Sequence, residues 1–219
     1  RLSLEHVAGR APVIVTVSHF STAIAVRRAR EAAAMGASMV MMMPPYHGVG
    51  LVPDEQGIFQ HYAAVSDAIS IPIMVQDAPI SGCSLSVPLL ARMAREIENV
   101  SYFKLEMPFA ADKLEALISA GGEYVVGPFD GEEAATLLAD LDAGATGTMT
   151  SALQPELIRP IVIDFRAGRQ EAALEQWRRC LPLINHENRQ CGLRAAKVVM
   201  KEGGVIRSDF VRHPLKPMS

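Results

Sequence analysis

The amino-acid sequence predicts an α/β fold, a (β/α)8 barrel followed by C-terminal helices. Short apolar runs alternate with amphipathic stretches along the chain, as in a parallel sheet with crossover helices. The units recur every roughly 25–30 residues, which is typical of a barrel. The apolar runs contain few polar positions, as expected for strands that are covered on both faces. No Gly-x-Gly-x-x-Gly or Walker A sequence is present, so a nucleotide-binding open sheet is less favoured.

The elements follow in six strand–helix units. The predicted strands are residues 13–17, 39–43, 73–76, 100–105, 124–126 and 146–150. The predicted helices are residues 22–35, 54–69, 111–119, 132–142 and 155–166, with another that begins near residue 87. Gly36 is expected to end the first of them in the left-handed conformation, and Ser86 to cap the helix near residue 87. Residues 169–201 have a helical period and predict one or two further helices.

The count of units gives an expectation about the domain. A closed barrel has eight βα units, so we expect two more before Arg1, where the chain reads as the interior of a helix. We expect residues 1–168 to form a partial barrel. Residues 169–219 are expected to form a helical extension packed on it.

Composition disfavours several classes of protein. The formal net charge is -3 and no long basic run exists, which disfavours nucleic acid and anionic membranes as partners. No apolar stretch of about 18 residues predicts a transmembrane helix, and we recognise no signal peptide. Cys83, Cys180 and Cys191 form neither a CxxC pair nor a zinc pattern. We expect reduced thiols and a cytoplasmic location.

Lys104 is the strongest candidate for a reactive side chain. Barrel enzymes place their chemistry at the C-terminal ends of strands, and Lys104 stands near the end of an otherwise apolar strand. Burial of an uncompensated ammonium is costly, and this cost favours the neutral amine that a nucleophile requires. The structural alternative is a lysine that points outward or pairs with Glu106.

Other polar residues follow the predicted strands. His19 and His47 could be bases or metal ligands, but neither has a partner at metal-ligand spacing, and a structural hydrogen bond is the simpler interpretation. Asp130 is expected to hold a turn. The methionines between residues 39 and 43 are expected to fill the core. The remaining candidates are Tyr46, Gln76, Asp77, Glu106, Thr148 and Thr150.

Several of these segments match a known family in order and spacing. They are Met-Pro-Pro-Tyr-His at 43–47, Val-Gln-Asp-Ala-Pro-Ile-Ser-Gly at 75–82, Phe-Lys-Leu-Glu at 103–106 and Gly-Ala-Thr-Gly-Thr-Met-Thr-Ser at 144–151. From about residue 11 to residue 215, the chain resembles the dihydrodipicolinate synthase / N-acetylneuraminate lyase family of class I aldolases and dehydratases.

The resemblance implies a site and an assembly. Lys104 would form an imine with a small-molecule 2-keto acid, so that no metal and no dissociable cofactor is needed. Tyr46 would act with Lys104, and His47 would be its neighbour in a relay across a subunit interface. Substrate-binding positions would be His47, Gly127, Thr148 and Met149. The family is usually homotetrameric, so a homo-oligomer is expected.

Two departures from the family pattern bear on the reaction. The Gly-x-x-Gly-Glu loop that holds the substrate carboxylate does not occur in this sequence, and Gln76 replaces the tyrosine that relays protons. Gln76, together with the segments 127–131 and 188–194, resembles dehydratases of 2-keto-3-deoxypentonates. The implied reaction converts L-2-keto-3-deoxyarabonate to α-ketoglutarate semialdehyde in pentose catabolism. The alternatives are an aldolase that acts through the same imine and a non-catalytic ligand-binding barrel.

Overall fold

The computed structural model describes residues 1–46 and 52–218. The described residues form one sheet of six strands, which are all parallel and lie side by side in sequence order. The strands are β1 (Ile14–Thr16), β2 (Met39–Met42), β3 (Ile73–Asp77), β4 (Val100–Leu105), β5 (Gly127–Asp130) and β6 (Gly147–Thr148). The predicted parallel α/β class is therefore confirmed.

Helices connect and follow the strands. They are α1 (Leu2–Val7), α2 (Thr22–Ala34), α3 (Glu55–Ser66), α4 (Val87–Glu96), α5 (Ala110–Gly121), α6 (Leu137–Asp142), α7 (Pro155–Arg166), α8 (Gln170–His186) and α9 (Leu193–Glu202). A π-helical turn, Glu187–Cys191, joins α8 to α9. The two predicted helix ends are confirmed: Gly36 has a φ of +89°, and the Ser86 hydroxyl accepts a hydrogen bond from the Leu89 N–H at 3.2 Å.

The prediction of the fifth strand was wrong. Its apolar run begins at the last residue of a 3₁₀ turn, Gly122–Tyr124, and the strand starts only after the run, at Gly127–Asp130. Residues 127–130 have little intrinsic strand propensity, and their place in the sheet depends on neighbours. Gly127 pairs with Tyr102, and a Cβ at Gly127 would lie 2.2 Å from the Tyr102 ring. Packing across the sheet thus overrides the local pattern.

Two further boundaries differ from the predictions. The helix predicted at 132–142 contains only Leu137–Asp142, because Glu133 and Ala134 are left-handed, with φ of 56° and 69°. The strand predicted at 146–150 is reduced to Gly147–Thr148. The first change follows from the irregular backbone of the turn after β5.

The two faces of the sheet differ in character. Side chains alternate between the faces of each strand. One face carries the main core, in which Val40, Ile73, Val75, Phe103 and Leu105 are fully buried and cluster with apolar residues of the helices. The other face, which we call the lysine face, carries the register partners Gln76, Lys104 and Phe129.

The C-terminal helices pack onto this framework. Ala173, Cys180 and Ile184 of α8 belong to the core cluster, and the indole of Trp177 packs against its edge. The helices predicted in residues 169–201 are therefore confirmed, whereas the division of the chain at residue 168 stays a prediction. Cys83, Cys180 and Cys191 are all free thiols. Within residues 1–46 and 52–218, no helix combines the length and apolar character that a membrane crossing requires.

Candidate active site

The centre of the candidate site is a lysine, a glutamate and a glutamine on the lysine face. Lys104 and Gln76 are register partners on β4 and β3, so their side chains project from the same face. Glu106 follows β4 and lies two residues beyond Lys104. Its Oε1 atom forms an ion pair with Lys104 Nζ and accepts a hydrogen bond from Gln76 Nε2 at 2.8 Å.

Lys104 and Glu106 are both largely shielded from solvent. The side chain of Lys104 is 9% exposed and that of Glu106 is 18% exposed. An ion pair shielded in this way compensates for the desolvation of the ammonium. Lys104 is thus both buried and paired with Glu106, so the two arrangements that the sequence offered as alternatives occur together, and its role as a nucleophile stays a prediction. Glu106 accepts from two donors at one oxygen, and it lies in position to receive a proton from the Lys104 amine.

The backbone of the neighbouring strands fixes Glu106. Its N–H donates to the Asp77 carbonyl at 2.8 Å, and the Gly131 N–H donates to the Leu105 carbonyl at 2.9 Å. A Cβ atom at Gly131 would lie 2.4 Å from Glu106 Cγ and 2.7 Å from the Leu105 carbonyl oxygen. Only glycine at this position allows the turn after β5 to approach β4 so closely.

A second carboxyl group, Glu133, lies on the turn after β5. Burial is the main cause that raises its pKa from 4.5 to about 7; the nearby charge of Lys104 opposes this shift, and the charges of Glu187 and Glu106 add to it. A backbone hydrogen bond from Ser151 reaches the same carboxyl. The Glu133 Oε2 atom is buried and has no hydrogen-bond partner within the described residues. Its left-handed backbone is unusual for a glutamate.

Both glutamates line one polar cavity of about 310 Å³. Its other walls are Pro79, Ile80, Gly131, Glu132, Asn188 and Arg189. Asn188 and Arg189 come from the π-helical turn after α8, an element that occurs frequently at functional sites. A larger cavity, of about 530 Å³, lies beside α1, far along the sheet from Lys104. The smaller cavity is the better candidate, because it adjoins the carboxyl groups.

A third carboxyl group approaches from the π-helical turn. Glu187 is buried, and burial raises its pKa. The Ser151 side chain forms a hydrogen bond with Glu187. Ser151 therefore interacts with Glu133 through its backbone and with Glu187 through its hydroxyl, which ties the end of β6 to the wall of the cavity.

The structure brings together only some of the predicted site residues. Gly127 lies on the lysine face, one layer below Lys104, as the register partner of Tyr102. Tyr46 is 37% exposed at the end of the segment after β2. His47 falls outside the described residues. The site roles of all these residues stay predictions.

Thr148 and Met149 both form hydrogen bonds with Asp130, and the side chain of Thr148 points away from Lys104. Thr148 pairs with Asp130, one position past the pair Phe129 and Gly147, so its side chain is on the face opposite Lys104. Its hydroxyl donates to Asp130 Oδ2 at 2.6 Å. The Met149 N–H donates to the Asp130 carbonyl at 3.0 Å. Strand alternation therefore directs the Thr148 side chain away from Lys104, and the substrate-binding roles of Thr148 and Met149 stay predictions.

The remaining candidates have structural partners. The His19 Nδ1 atom accepts from the Ser21 N–H at 2.9 Å, and the Thr150 hydroxyl donates to the Ser151 carbonyl at 2.9 Å. Asp77 is fully buried and pairs with Lys113 at 2.6 Å. Asp130 accepts from the N–H groups of the following turn, as expected for a turn residue. Among the described residues, no three His, Cys, Asp or Glu side chains are grouped to hold a metal ion.

Glu133 was not predicted from the sequence, and Glu106 was one candidate among several. Glu106 could have been selected from its spacing, because residues i and i+2 of a strand share a face. Glu133 carried no such signal. The sequence around it reads as the start of a helix, and only the folded backbone shows that it faces the lysine.

Comparisons with known proteins place these residues in context. A sequence model of the dihydrodipicolinate synthetase family matches residues 1–219. The L-2-keto-3-deoxyarabonate dehydratase of Azospirillum brasilense is 60% identical over 215 residues, which are 98% of this chain and 70% of that protein. The 4-hydroxy-tetrahydrodipicolinate synthase of Pelodictyon phaeoclathratiforme is 28% identical over 222 residues, which are 100% of this chain and 73% of that protein. A solved structure described as a dihydrodipicolinate synthetase from Pseudomonas aeruginosa superposes with a TM-score of 0.90 at 32% identity, covering 99% of this chain and 73% of that one.

Proposed function

Since this chain belongs to the dihydrodipicolinate synthetase family, we propose that it is a lyase that dehydrates a 2-keto-3-deoxy sugar acid through a covalent imine. The substrate is L-2-keto-3-deoxyarabonate and the product α-ketoglutarate semialdehyde. One finding and one part of the sequence resemblance support this choice within the family. Identity to the dehydratase is 60%, against 28% to the synthase, and by the resemblance Gln76 stands at the position of the family's tyrosine. The observation that carries the proposal is the single carboxylate, Glu106, shared by Lys104 and Gln76.

The first step forms the imine. The Lys104 amine, after it passes its proton to Glu106, attacks the C2 carbonyl of the substrate. The carbinolamine takes this proton back from Glu106, loses water and gives a protonated imine, so Glu106 is again a carboxylate. This imine is the electron sink that other enzymes obtain from a metal or a pyridoxal ring, so we propose that the reaction needs neither.

The second step is elimination, for which two carboxyl groups divide the proton transfers. Glu106 removes a C3 proton and the imine becomes an enamine. The enamine expels the C4 hydroxyl, and protonated Glu133 supplies the proton with which it leaves as water. The environment of Glu133 favours its acid form, since burial raises its pKa to about 7, whereas Glu106 accepts hydrogen bonds from two donors. Carboxyl groups with different environments are typical of acid and base partners.

The last steps release the product. The conjugated imine left after elimination still carries the C5 hydroxyl. Loss of a C5 proton gives an enol at C5. Protonation at C4 with loss of the C5 hydroxyl proton turns C5 into an aldehyde, and protonation at C3 restores the imine. Water then hydrolyses the imine and frees Lys104. One water is consumed here and one was lost on imine formation, so the net change is the loss of the C4 hydroxyl as water.

Gln76 separates this reaction from aldol cleavage. Cleavage of the C3–C4 bond requires a base that removes the proton of the C4 hydroxyl, and a tyrosine hydroxyl can donate and accept that proton. An amide has no comparable proton transfer near neutral pH. Gln76 instead donates a hydrogen bond to Glu106 at 2.8 Å. Its role is to orient the base, which an elimination needs.

We also propose the complete architecture around this site. The six strands form part of an eight-stranded (β/α)8 barrel, in which β1 and β6, the outer strands of the described sheet, pair with further strands. This proposal agrees with the coverage of 70–73% of the relatives' lengths. A homo-oligomer, such as the tetramer usual in the family, rests on the family resemblance alone.

Product analysis tests the proposed reaction. The full-length enzyme is incubated separately with L- and D-2-keto-3-deoxypentonates, and the products are identified by chromatography and mass spectrometry. The five-carbon semialdehyde supports dehydration. Pyruvate with glycolaldehyde would assign the aldolase instead, and saturable binding without any product would assign a ligand-binding barrel.

A further inference from the structure

The turn that carries Glu133 is strained and fixed from two sides. Glu133 and Ala134 are consecutive left-handed residues, with φ of 56° and 69°, and neither is a glycine. A side chain at such a φ crowds the backbone, so two in sequence persist only when the surroundings determine them. Neighbouring groups must therefore stabilise this backbone conformation.

Asp130, the last residue of β5, holds the turn on the side of the sheet. The carboxylate of Asp130 accepts from the Glu132 N–H at 2.7 Å and from the Ala134 N–H at 3.1 Å. Asp130 is fully buried, and the Thr148 hydroxyl donates to the same carboxylate. These bonds satisfy the two N–H groups on either side of Glu133.

Side chains of the C-terminal helical segment form hydrogen bonds with the same turn. The Trp177 Nε1–H of α8 donates to the Ala134 carbonyl at 2.9 Å. The Asn188 Nδ2–H of the π-helical turn donates to the Glu132 carbonyl at 3.3 Å, and Arg189 pairs with the Glu132 side chain. The backbone groups of residues 132 and 134, which flank Glu133, thus all have partners. Their carbonyls accept from the Ala135 and Leu137 N–H groups at 2.9 and 3.5 Å, and the helical segment adds a side-chain donor to each.

We propose that Trp177 and Asn188 are positioning residues that keep Glu133 directed at the Lys104 site. The C-terminal helical segment then serves the reaction as well as the packing of the fold. This inference rests on the proposed function, because it assumes that Glu133 supplies the proton of the elimination. Neither Trp177 nor Asn188 is proposed to touch the substrate.

A specific consequence follows from the surroundings of Glu133. Four groups interact with its carboxyl. Lys104 lies on β4 and Glu106 directly follows that strand. Glu187 belongs to the π-helical turn, and the Ser151 backbone follows β6. Burial among these groups keeps it protonated near neutral pH. If the turn relaxes, the carboxyl reaches water, and its ionisation returns towards the ordinary range for a glutamate.

The test uses Trp177→Phe, which keeps a ring but removes the N–H donor, and Asn188→Ala. The control is Gln176→Leu, because Gln176 neighbours Trp177 on α8 but donates to Asp164 and Ala172 and not to the turn. We expect kcat to fall at least tenfold in the double variant with KM changed less than threefold. The alkaline limb of its kcat–pH profile should move at least one pH unit lower. Gln176→Leu should leave both unchanged.

Two further readouts keep the outcomes distinct. Borohydride trapping of pyruvate should remain normal in the double variant, which separates a lost proton donor from a lost lysine. Trp177 is the only tryptophan of the chain, so the emission of the wild type should titrate with a midpoint near pH 7, and Glu133→Gln should abolish that titration. This readout needs no turnover and decides the inference even if the wild type proves not to be a dehydratase. Folded variants with an unmoved pH limb, or no titration of the emission, would overturn it.

Discussion

Replacement of Glu106 by glutamine tests the division of labour in the site. The amide is nearly isosteric and can still accept a hydrogen bond from Gln76, whose Nε2 lies 2.8 Å from the Glu106 Oε1 atom. It cannot carry a proton, however, and it has no charge to pair with Lys104. The change therefore removes the base and keeps the shape of the site.

The size of the effect follows from the role. General acid–base catalysis by a positioned side chain contributes about 10²–10⁴-fold to the rate, and each tenfold is about 1.36 kcal/mol of activation free energy. We therefore expect Glu106→Gln to lower kcat by about 10²–10⁴-fold, or about 3–5 kcal/mol. KM should change much less, because Glu106 is proposed to act on the C3 proton and the Lys104 amine.

The assay combines turnover with trapping. Semialdehyde formation from L-2-keto-3-deoxyarabonate is coupled to a nicotinamide-dependent aldehyde dehydrogenase, and kcat is compared with that of Glu115→Gln, an exposed glutamate on α5. Thermal unfolding verifies that both variants are folded. Glu106→Gln should still form a reducible adduct at saturating pyruvate. A folded Glu106→Gln variant with a kcat within tenfold of the wild type would refute the assignment of the base.

Three further predictions concern the turn after β5 and its support. Because burial raises the pKa of Glu133 to about 7, the acid form of Glu133 is lost as the pH rises through 7, and kcat should fall in that range. If an active Glu133→Gln variant shows the same fall, Glu133 is not its source. Gly131→Ala should lower kcat at least tenfold, since its Cβ would lie 2.4 Å from Glu106 Cγ, while Gly203→Ala, at the C-terminal end of α9, should have no effect; equal activities of the two variants would contradict this placement. Burial also raises the pKa of Asp140 from 3.8 to about 7, so the folded state favours the protonated form and loses stability as the pH rises from about 4 to 7. When the pH is raised from 5 to 8, the free energy of unfolding, measured with urea, should fall by about 2–3 kcal/mol less in Asp140→Asn than in the wild type. Equal falls in the two proteins would mean that Asp140 does not titrate.

The local sequence predicted those elements that are determined by their own hydrophobic pattern. The strand Val100–Leu105 has the bounds that its apolar run indicates, and Lys104 stands out because a polar residue interrupts that run. Alternation then places Gln76 and Lys104 on one face. These conclusions need only the period of a strand and the register of parallel neighbours.

The parts that sequence did not predict depend on distant contacts. Gly127–Asp130 is a strand because Gly127 leaves room for the Tyr102 ring, and no local propensity reports that. Glu133 faces the site because Asp130, Trp177 and Asn188 hold a left-handed backbone there. Thr148 was assigned to the site from its motif, but a single step in the register turns its side chain to the other face.

The covalent imine at Lys104 is the central claim, and reductive trapping tests it most directly. The full-length enzyme is treated with pyruvate and borohydride, digested with trypsin and mapped by mass spectrometry. An alkylated Lys104 resists trypsin, so the adduct should appear on a peptide of residues 96–113, between the cleavage sites at Arg95 and Lys113. Lys104→Ala should remove both the adduct and turnover. An adduct on another peptide, or normal turnover by Lys104→Ala, would contradict the mechanism.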